Sequence, residues 1–209
     1  MPNQKSNWLE SDISELKQRW ELFRCRAILK HQNIDALKAI LAENPELVKA
    51  ADRRGWTLLH SAAAQGDGAA ASTLISSGAA VNAADVHGVT PLLLAVEEGH
   101  ADVVELLLEK GADTSVRYMD FWTPLHLAAA SGNTAVLKKL LDTGLDINSR
   151  DEFAMTPLHC AADNGHMEMV RVLLANGADR GAENAEGKKP ADSARKSDHT
   201  AVVQEIEQG

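Results

Sequence analysis

Thr123-Pro124-Leu125-His126-Leu127-Ala128-Ala129-Ala130-Ser131-Gly132 decides how the chain is read. The pattern returns 33 residues later as Thr156-Pro157-Leu158-His159-Cys160-Ala161-Ala162-Asp163-Asn164-Gly165. It stands 33 residues earlier as Thr90-Pro91-Leu92-Leu93-Leu94-Ala95-Val96-Glu97-Glu98-Gly99, and before that as Thr57-Leu58-Leu59-His60-Ser61-Ala62-Ala63-Ala64-Gln65-Gly66. A fading copy starts at Lys189-Pro190-Ala191-Asp192-Ser193-Ala194. Copies in frame at a fixed period of this size signal a stacked array, in which each unit repeats one supersecondary structure.

Elementary helix chemistry explains each unit. Thr opens a helix as its capping residue, and Pro follows at the first helical position, where a missing N–H costs nothing. Small residues such as Ala128, Ala129, Ala161 and Ala162 let neighbouring helices approach closely. Gly66, Gly99, Gly132 and Gly165 stop this short helix by leaving the α region. A second helix follows with apolar pairs on one face, Val103, Val104, Leu107 and Leu108 in one unit and Val136, Leu137, Leu140 and Leu141 in the next. That spacing makes one buried stripe per helix. Gly78, Gly111, Gly144 and Gly177 end the second helix, and a polar hairpin leads on. No unit can bury its stripe alone, so stability comes from stacking neighbours.

These motifs resemble those of the ankyrin-repeat family over roughly residues 24 to 209. The expected fold is an all-α solenoid of helix-turn-helix units joined by β-hairpin loops, about six repeats including both caps. The expected division is an N-terminal extension over 1–19 and an ankyrin-repeat domain over 20–209. Its repeats fall at about 20–54, 55–87, 88–120, 121–153, 154–186 and 187–209. An amphipathic helix is expected from Ser11 or Asp12 to Gln32, with Asp12 and Glu15 forming a capping box and Ile13, Leu16, Trp20, Phe23 and Ala27 on its apolar face. In the first unit Asn33 is expected at the glycine position, Leu37 and Leu41 supply the stripe, and Asn44-Pro45-Glu46 replaces the glycine turn. In the last unit Asp198 stands where Gly would be, and Val202, Val203 and Ile206 form the stripe of a C-terminal cap.

Composition narrows the function. With 44% hydrophobic and 24% charged residues, the 209-residue chain is ordinary globular material. The first ten residues carry no apolar run of a leader, and no stretch approaches the ~20 apolar residues of a membrane helix. Cys25 and Cys160 fall on helices of different units, so free buried thiols in a reducing compartment are expected. A net charge of −9 disfavours nucleic acid, which wants a basic face. The charge is uneven: residues 1–31 hold six Lys/Arg against four acids, a net of +2, which leaves the remainder at −11. An acidic array with a mildly basic lead-in favours a basic or mixed-charge partner. The expected location is the cytoplasm, with the nucleus as a second compartment.

No catalytic motif stands out. His60, His126 and His159 share one repeat position, and in the ankyrin resemblance such a ring bonds to the backbone of the neighbouring hairpin. The sequence shows no CxxC pair, Gly-rich phosphate loop or metalloprotease His pair, so neither enzyme, cofactor nor metal is expected. The resemblance also places Asn82 and Asn148 at the hairpin position that is hydroxylated in some animal members.

The aromatic residues are the informative departure. There are eight, Trp8, Trp20, Phe23, Trp56, Tyr118, Phe121, Trp122 and Phe153, and five of them sit at hairpin tips. The family's concave face is built from such tips and from the ends of the first helices. Carried onto this chain, the partner-binding candidates are Arg53, Arg54, Trp56, His87, Glu97, Glu98, Tyr118, Met119, Asp120, Trp122, Glu152, Phe153, Met155 and Asp163, with Gln65, Val86, Val89, Ser131 and Asn164 beside them. Phe121 and Ala154 replace the glycine supplied by Gly55, Gly88 and Gly187, so each either strains a left-handed backbone or reshapes its hairpin. Exposed aromatics among acids are the usual anchors of an interface, whereas tips packed on one another would leave little to bind. The leading expectation is a protein-interaction module, monomeric on its own, that grips a basic or mixed segment carrying an apolar anchor. Self-association through Trp8, Trp20 and Phe23, or reading of a methylated lysine by an aromatic cage of Tyr118, Trp122 and Phe153, are the alternatives.

Overall fold

Two rows of short helices build the molecule, because each 33-residue unit contributes one helix to each row. The computed structural model describes residues 21–119 and 121–208. Helix α1 covers residues 21–30 within that range, followed by α2 (Ile34–Glu43) and a single 3₁₀ turn at Pro45–Lys49. The inner row then comprises α3 (Leu58–Ala64), α5 (Pro91–Glu97), α7 (Pro124–Ser131), α9 (Pro157–Asp163) and α11 (Pro190–Lys196). The outer row comprises α4 (Gly68–Ser76), α6 (Ala101–Glu109), α8 (Thr134–Leu141), α10 (Met167–Ala175) and α12 (Thr200–Gln208). Each inner helix packs on the next, each outer helix does likewise, and the two of one unit pack on each other. Among the described residues there is no sheet, only isolated bridges Ala51–Thr57 and Tyr118–Trp122 at the bases of two hairpins.

The core runs unbroken between the rows. Val103, Val104, Leu107, Val136, Leu137, Leu140, Val170 and Leu173 are wholly buried, while Leu108 and Leu141, expected in the same stripes, are half-buried at their edge. Such a side chain contributes about 1.5–3 kcal/mol by leaving water. Ala62, Ala63, Ala95, Ala128, Ala129, Ala161 and Ala162 are equally buried, so the inner helices meet through methyl groups. The C-terminal cap closes the core with Val202 and Ile206. Asp198 adopts φ 59°, holding the glycine position as its place in the period predicts. Cys25 and Cys160 are free and buried, and burial pushes the Cys160 thiol up to about 12.

Two expectations at the N-terminal cap are corrected. The apolar face of α1 is Leu22, Cys25 and Leu29, while Phe23 lies 70% exposed and Ala27 is also exposed. Large aromatic residues pull a sequence-based register toward themselves, but a seven-residue spacing of Leu22 and Leu29 gives an equally good helical stripe, and packing selects it. Gln32, at φ 51°, takes the left-handed position expected of Asn33. Asn33 instead caps α2, its side chain accepting the Ala36 N–H at 3.0 Å. This first unit is one residue longer between the two positions, so the 33-residue frame slips there. The expected helix start at Asp12, and Ile13, Leu16 and Trp20, lie outside the described residues.

Candidate functional site

The hairpin tips are held by one repeated device. Asp52 Oδ1 accepts the N–H groups of Arg54 at 2.8 Å and Trp56 at 3.0 Å. Asp85 does the same for His87 and Val89, Asp151 for Phe153 and Met155, and Asn184 for Glu186 and Lys188. One side-chain oxygen thus bends each tip by satisfying two backbone donors, the ordinary work of an Asx turn. At Asp52, burial would raise the carboxyl, but the Trp56 and Arg54 N–H bonds and Arg26 outweigh it and hold it below its usual range.

A second device ties three of the tips to the unit before them. His60 Nε2 reaches Val89 O at 3.0 Å, His126 Nε2 reaches Met155 O at 3.0 Å, and His159 Nε2 reaches Lys188 O at 3.0 Å. In each ring Nδ1 accepts the N–H of the capping threonine, Thr57, Thr123 or Thr156, at 3.1–3.3 Å. An acceptor Nδ1 leaves the proton on Nε2, which therefore donates to the carbonyl. Burial lowers the pKa of all three rings and favours their neutral form, offset in part by the bond to the carbonyl. The resemblance predicted this structural role, and the geometry shows it. Asn82 and Asn148 make comparable ties: Asn82 donates to Gly111 O and accepts from Asp113 N–H, and Asn148 donates to Gly177 O and accepts from Asp179 N–H.

One tip lacks both devices. Tyr118 stands where Asp52, Asp85 and Asp151 stand in their units, and Leu93 stands where the tying histidine would be. The tip closes instead through paired bonds, Tyr118 N–H to Trp122 O at 3.0 Å and Trp122 N–H to Tyr118 O at 2.9 Å, with Phe121 N–H turned onto Met119 O. Met119 and Phe121 both adopt positive φ, 37° and 63°. Ala154 is also left-handed, at φ 56°, yet its tip keeps the ordinary bonds, Ala154 N–H to Asp151 O and Asp151 N–H to Met155 O. Both alternatives for a missing glycine are thus realised, strain at Ala154 and a reshaped hairpin at Phe121. Neighbouring tips join through Val86 N–H to Arg54 O and Ala185 N–H to Phe153 O, both 2.8 Å, and among the described residues no such bond joins Met119 to His87. Sequence reasoning followed the glycines and missed Tyr118 and Leu93 as structural departures, although alignment of the five copies shows both.

The candidates fall into three groups along this face. Arg54, Trp56 and Gln65 line a cleft of about 640 Å³ with Arg26, Lys30, Asp52 and Ser61. Trp56 is half-buried, its indole N–H on Ser61 Oγ at 2.9 Å and its ring tilted over His60 at 5.4 Å. In the middle, Met119 is 70% and Phe121 60% exposed, with Val86 64% exposed one tip earlier. Tyr118 is half-buried, and burial, then the charges of Glu97 and Asp85, raise its hydroxyl pKa. Trp122 stacks on His126 at 6.4 Å and donates Nε1–H to Asp151 Oδ2 at 3.1 Å, joining the third and fourth tips. Towards the C-terminal end, Phe153, 54% exposed, shares a smaller cleft with Met155 and Asp163, and Ser197 Oγ donates to Asp163 Oδ1. Arg53, His87, Glu98, Glu152, Ser131 and Asn164 are exposed. Val89 is buried and so is removed from the candidates. Asp120 lies outside the described residues. Among the described residues, no cluster of His, Cys, Asp and Glu could hold a metal ion, and no helix is long and apolar enough to cross a membrane.

The family model for ankyrin repeats (3 copies) matches residues 25–118 and again 125–207. Most of the chain is covered, and the protein belongs to the ankyrin-repeat family, whose members are generally protein-interaction modules. No curated protein matches it.

Proposed function

We propose that this protein is a non-enzymatic interaction module, an adaptor or regulatory subunit that holds a segment of another protein across its hairpin tips. One observation carries the reading: Val86, Met119, Phe121 and Phe153 form an exposed apolar row over three consecutive tips. Glu97, Glu98, Glu152 and Asp163 lie exposed on the same units. Apolar anchors with a polar rim are how a small surface gains affinity. The preferred ligand is a segment of mixed charge whose apolar side chain seats on this row, in contrast to nucleic acid. The protein acts from the cytoplasm or nucleus.

Quantitative pull-down from source-cell lysate tests the reading, comparing wild type with Met119→Ser/Phe153→Ser. Both side chains are exposed, so the variant should keep its melting temperature and lose the partner at least tenfold. An unchanged captured set, with the fold intact, would overturn it.

A second reading rests on Phe23, which stands 70% exposed on α1 beside the exposed Ala27. Self-association through that face would appear as concentration-dependent sizing chromatography in wild type and vanish in Phe23→Ser.

A further inference from the structure

The chain carries −9 overall, yet the cleft at the N-terminal end of the tip face is locally positive. Arg26 and Lys30 come from one face of α1, a turn apart, while Arg54 comes from the first tip, against the single acid Asp52. Asp52 is already engaged, its Oδ2 bonded to Arg26 Nη2 at 3.0 Å. Arg26 Nη2 also donates to Trp56 O at 2.9 Å, which fixes the guanidinium against the tip. The side chains of Lys30 and Arg54 make no ion pair or hydrogen bond among the described residues, and both are exposed. Trp56, held by Ser61 and by its contact with His60, supplies a flat apolar wall.

We propose that this cleft is a docking site for a carboxylate side chain of a peptide segment, an Asp or Glu flanked by an apolar residue. Charge complementarity selects the occupant: two unpaired cations converge on one cleft about 640 Å³ in volume, with an indole for the flanking side chain. Arginine offers a planar fork matched to a carboxylate, and lysine adds a point charge. The acidic bulk of the molecule does not cancel this, because fields from charges farther than about 8 Å are largely screened at physiological salt.

The site rests on the reading that the tip face holds an extended segment, and it gives that segment a polarity. A uniformly basic ligand would meet Lys30 and Arg54 with like charge, whereas Glu97, Glu98 and Asp163 welcome it farther along. Stacked helices lie 8–10 Å apart, so the Phe121 and Phe153 tips stand two and three units, about 18 and 27 Å, from Trp56. At about 3.3 Å per extended residue, the acidic residue lies roughly five to eight positions from the apolar anchor. Joining the two contacts on one chain raises affinity through effective concentration.

The test uses the full chain, ¹⁵N-labelled, titrated with acetyl-Glu-Leu-Glu-Phe-Glu-amide, which spans about 16 Å and is too short to reach from Trp56 to the Phe121 and Phe153 tips. The Trp56 indole N–H resonance, assigned with Trp56→Phe, should shift saturably while that of Trp122 stays in place. Lys30→Glu/Arg54→Glu should weaken the response at least tenfold, Arg54→Gln severalfold, and raising NaCl from about 50 to 300 mM should also weaken it. The Lys-for-Glu peptide should leave Trp56 unmoved. No shift at Trp56, an equal shift in the double variant, or a response confined to a phosphoserine version of the probe would overturn the assignment. Met119→Ser/Phe153→Ser should keep the shift, so failure of this cleft and failure of the apolar row register separately.

Discussion

Asp151→Asn perturbs one hydrogen bond whose removal the chain itself calibrates. Asp151 Oδ1 bends its own tip, while Oδ2 accepts the Trp122 indole N–H from the previous tip at 3.1 Å. Asn184 bends the following tip with an amide oxygen at 3.0 Å to both donors, so an amide is competent for the turn. In Asp151→Asn the amide oxygen keeps the turn and its NH₂ faces the Trp122 N–H, donor against donor. A hydrogen bond to a charged group contributes about 1.5–3 kcal/mol. Asp151 is buried but Trp122 is half-exposed, which places the loss near the lower end, about 2 kcal/mol including the repulsion. In a domain of this size that is a fall of roughly 4–8 °C in melting temperature. Trp122→Phe removes the donor and keeps a ring over His126. In that background Asp151→Asn should cost about 0.5 kcal/mol or less, a coupling of roughly 1.5 kcal/mol in a double-mutant cycle. Urea unfolding followed by circular dichroism reads the cycle, provided the m-value is unchanged across all four proteins. Equal costs of Asp151→Asn in both backgrounds would refute the claim that this bond joins the tips.

Acid should weaken the array through its three tying histidines. Their folded pKa values lie below the unfolded value of about 6.5, so the unfolded chain binds more protons between the two. Their contribution is complete above pH 6.5 and is lost as pH falls towards the folded values, at up to about 1.4 kcal/mol per pH unit for each ring. His126→Gln, measured from pH 7.5 to 5, should flatten that slope by about a third of the histidine share; an unaltered slope would contradict it. Ala154→Gly should stabilise slightly, by about 0.5 kcal/mol. Relief of a left-handed alanine gives back about 1 kcal/mol or more, and the freer unfolded glycine takes part of it away. A melting temperature lowered by Ala154→Gly would argue against that strain.

Much of this architecture was legible because a repeat states its rules several times. Thr-Pro openings, glycine stops and paired apolar residues recur at 33-residue spacing, so the rows of helices and their stripes could be placed without a structure. The N-terminal cap had no second copy to check it against. There Phe23 and Trp20 suggested one face of α1, but packing chose Leu22, Cys25 and Leu29. The exposed tips were legible as departures from the repeat. Which of them are exposed was not, since Trp122 and Val89 depend on what the adjacent unit supplies, Asp151 for one and His60 for the other.

The side-chain hydrogen bonds that join one unit to the next link residues 26 to 36 apart in the chain, from Arg26–Asp52 to His100–Ala64 and His166–Ala130. Nothing in them reaches from one end of the molecule to the other. As the chain leaves the ribosome, each unit meets its docking partner once about three dozen further residues have emerged, and assembly can keep pace with synthesis. Val202 and Ile206 emerge after the other stripes described and cover the apolar face that precedes them. A stalled or shortened chain would therefore keep its earlier units and expose one raw apolar edge, always at the point where synthesis stopped.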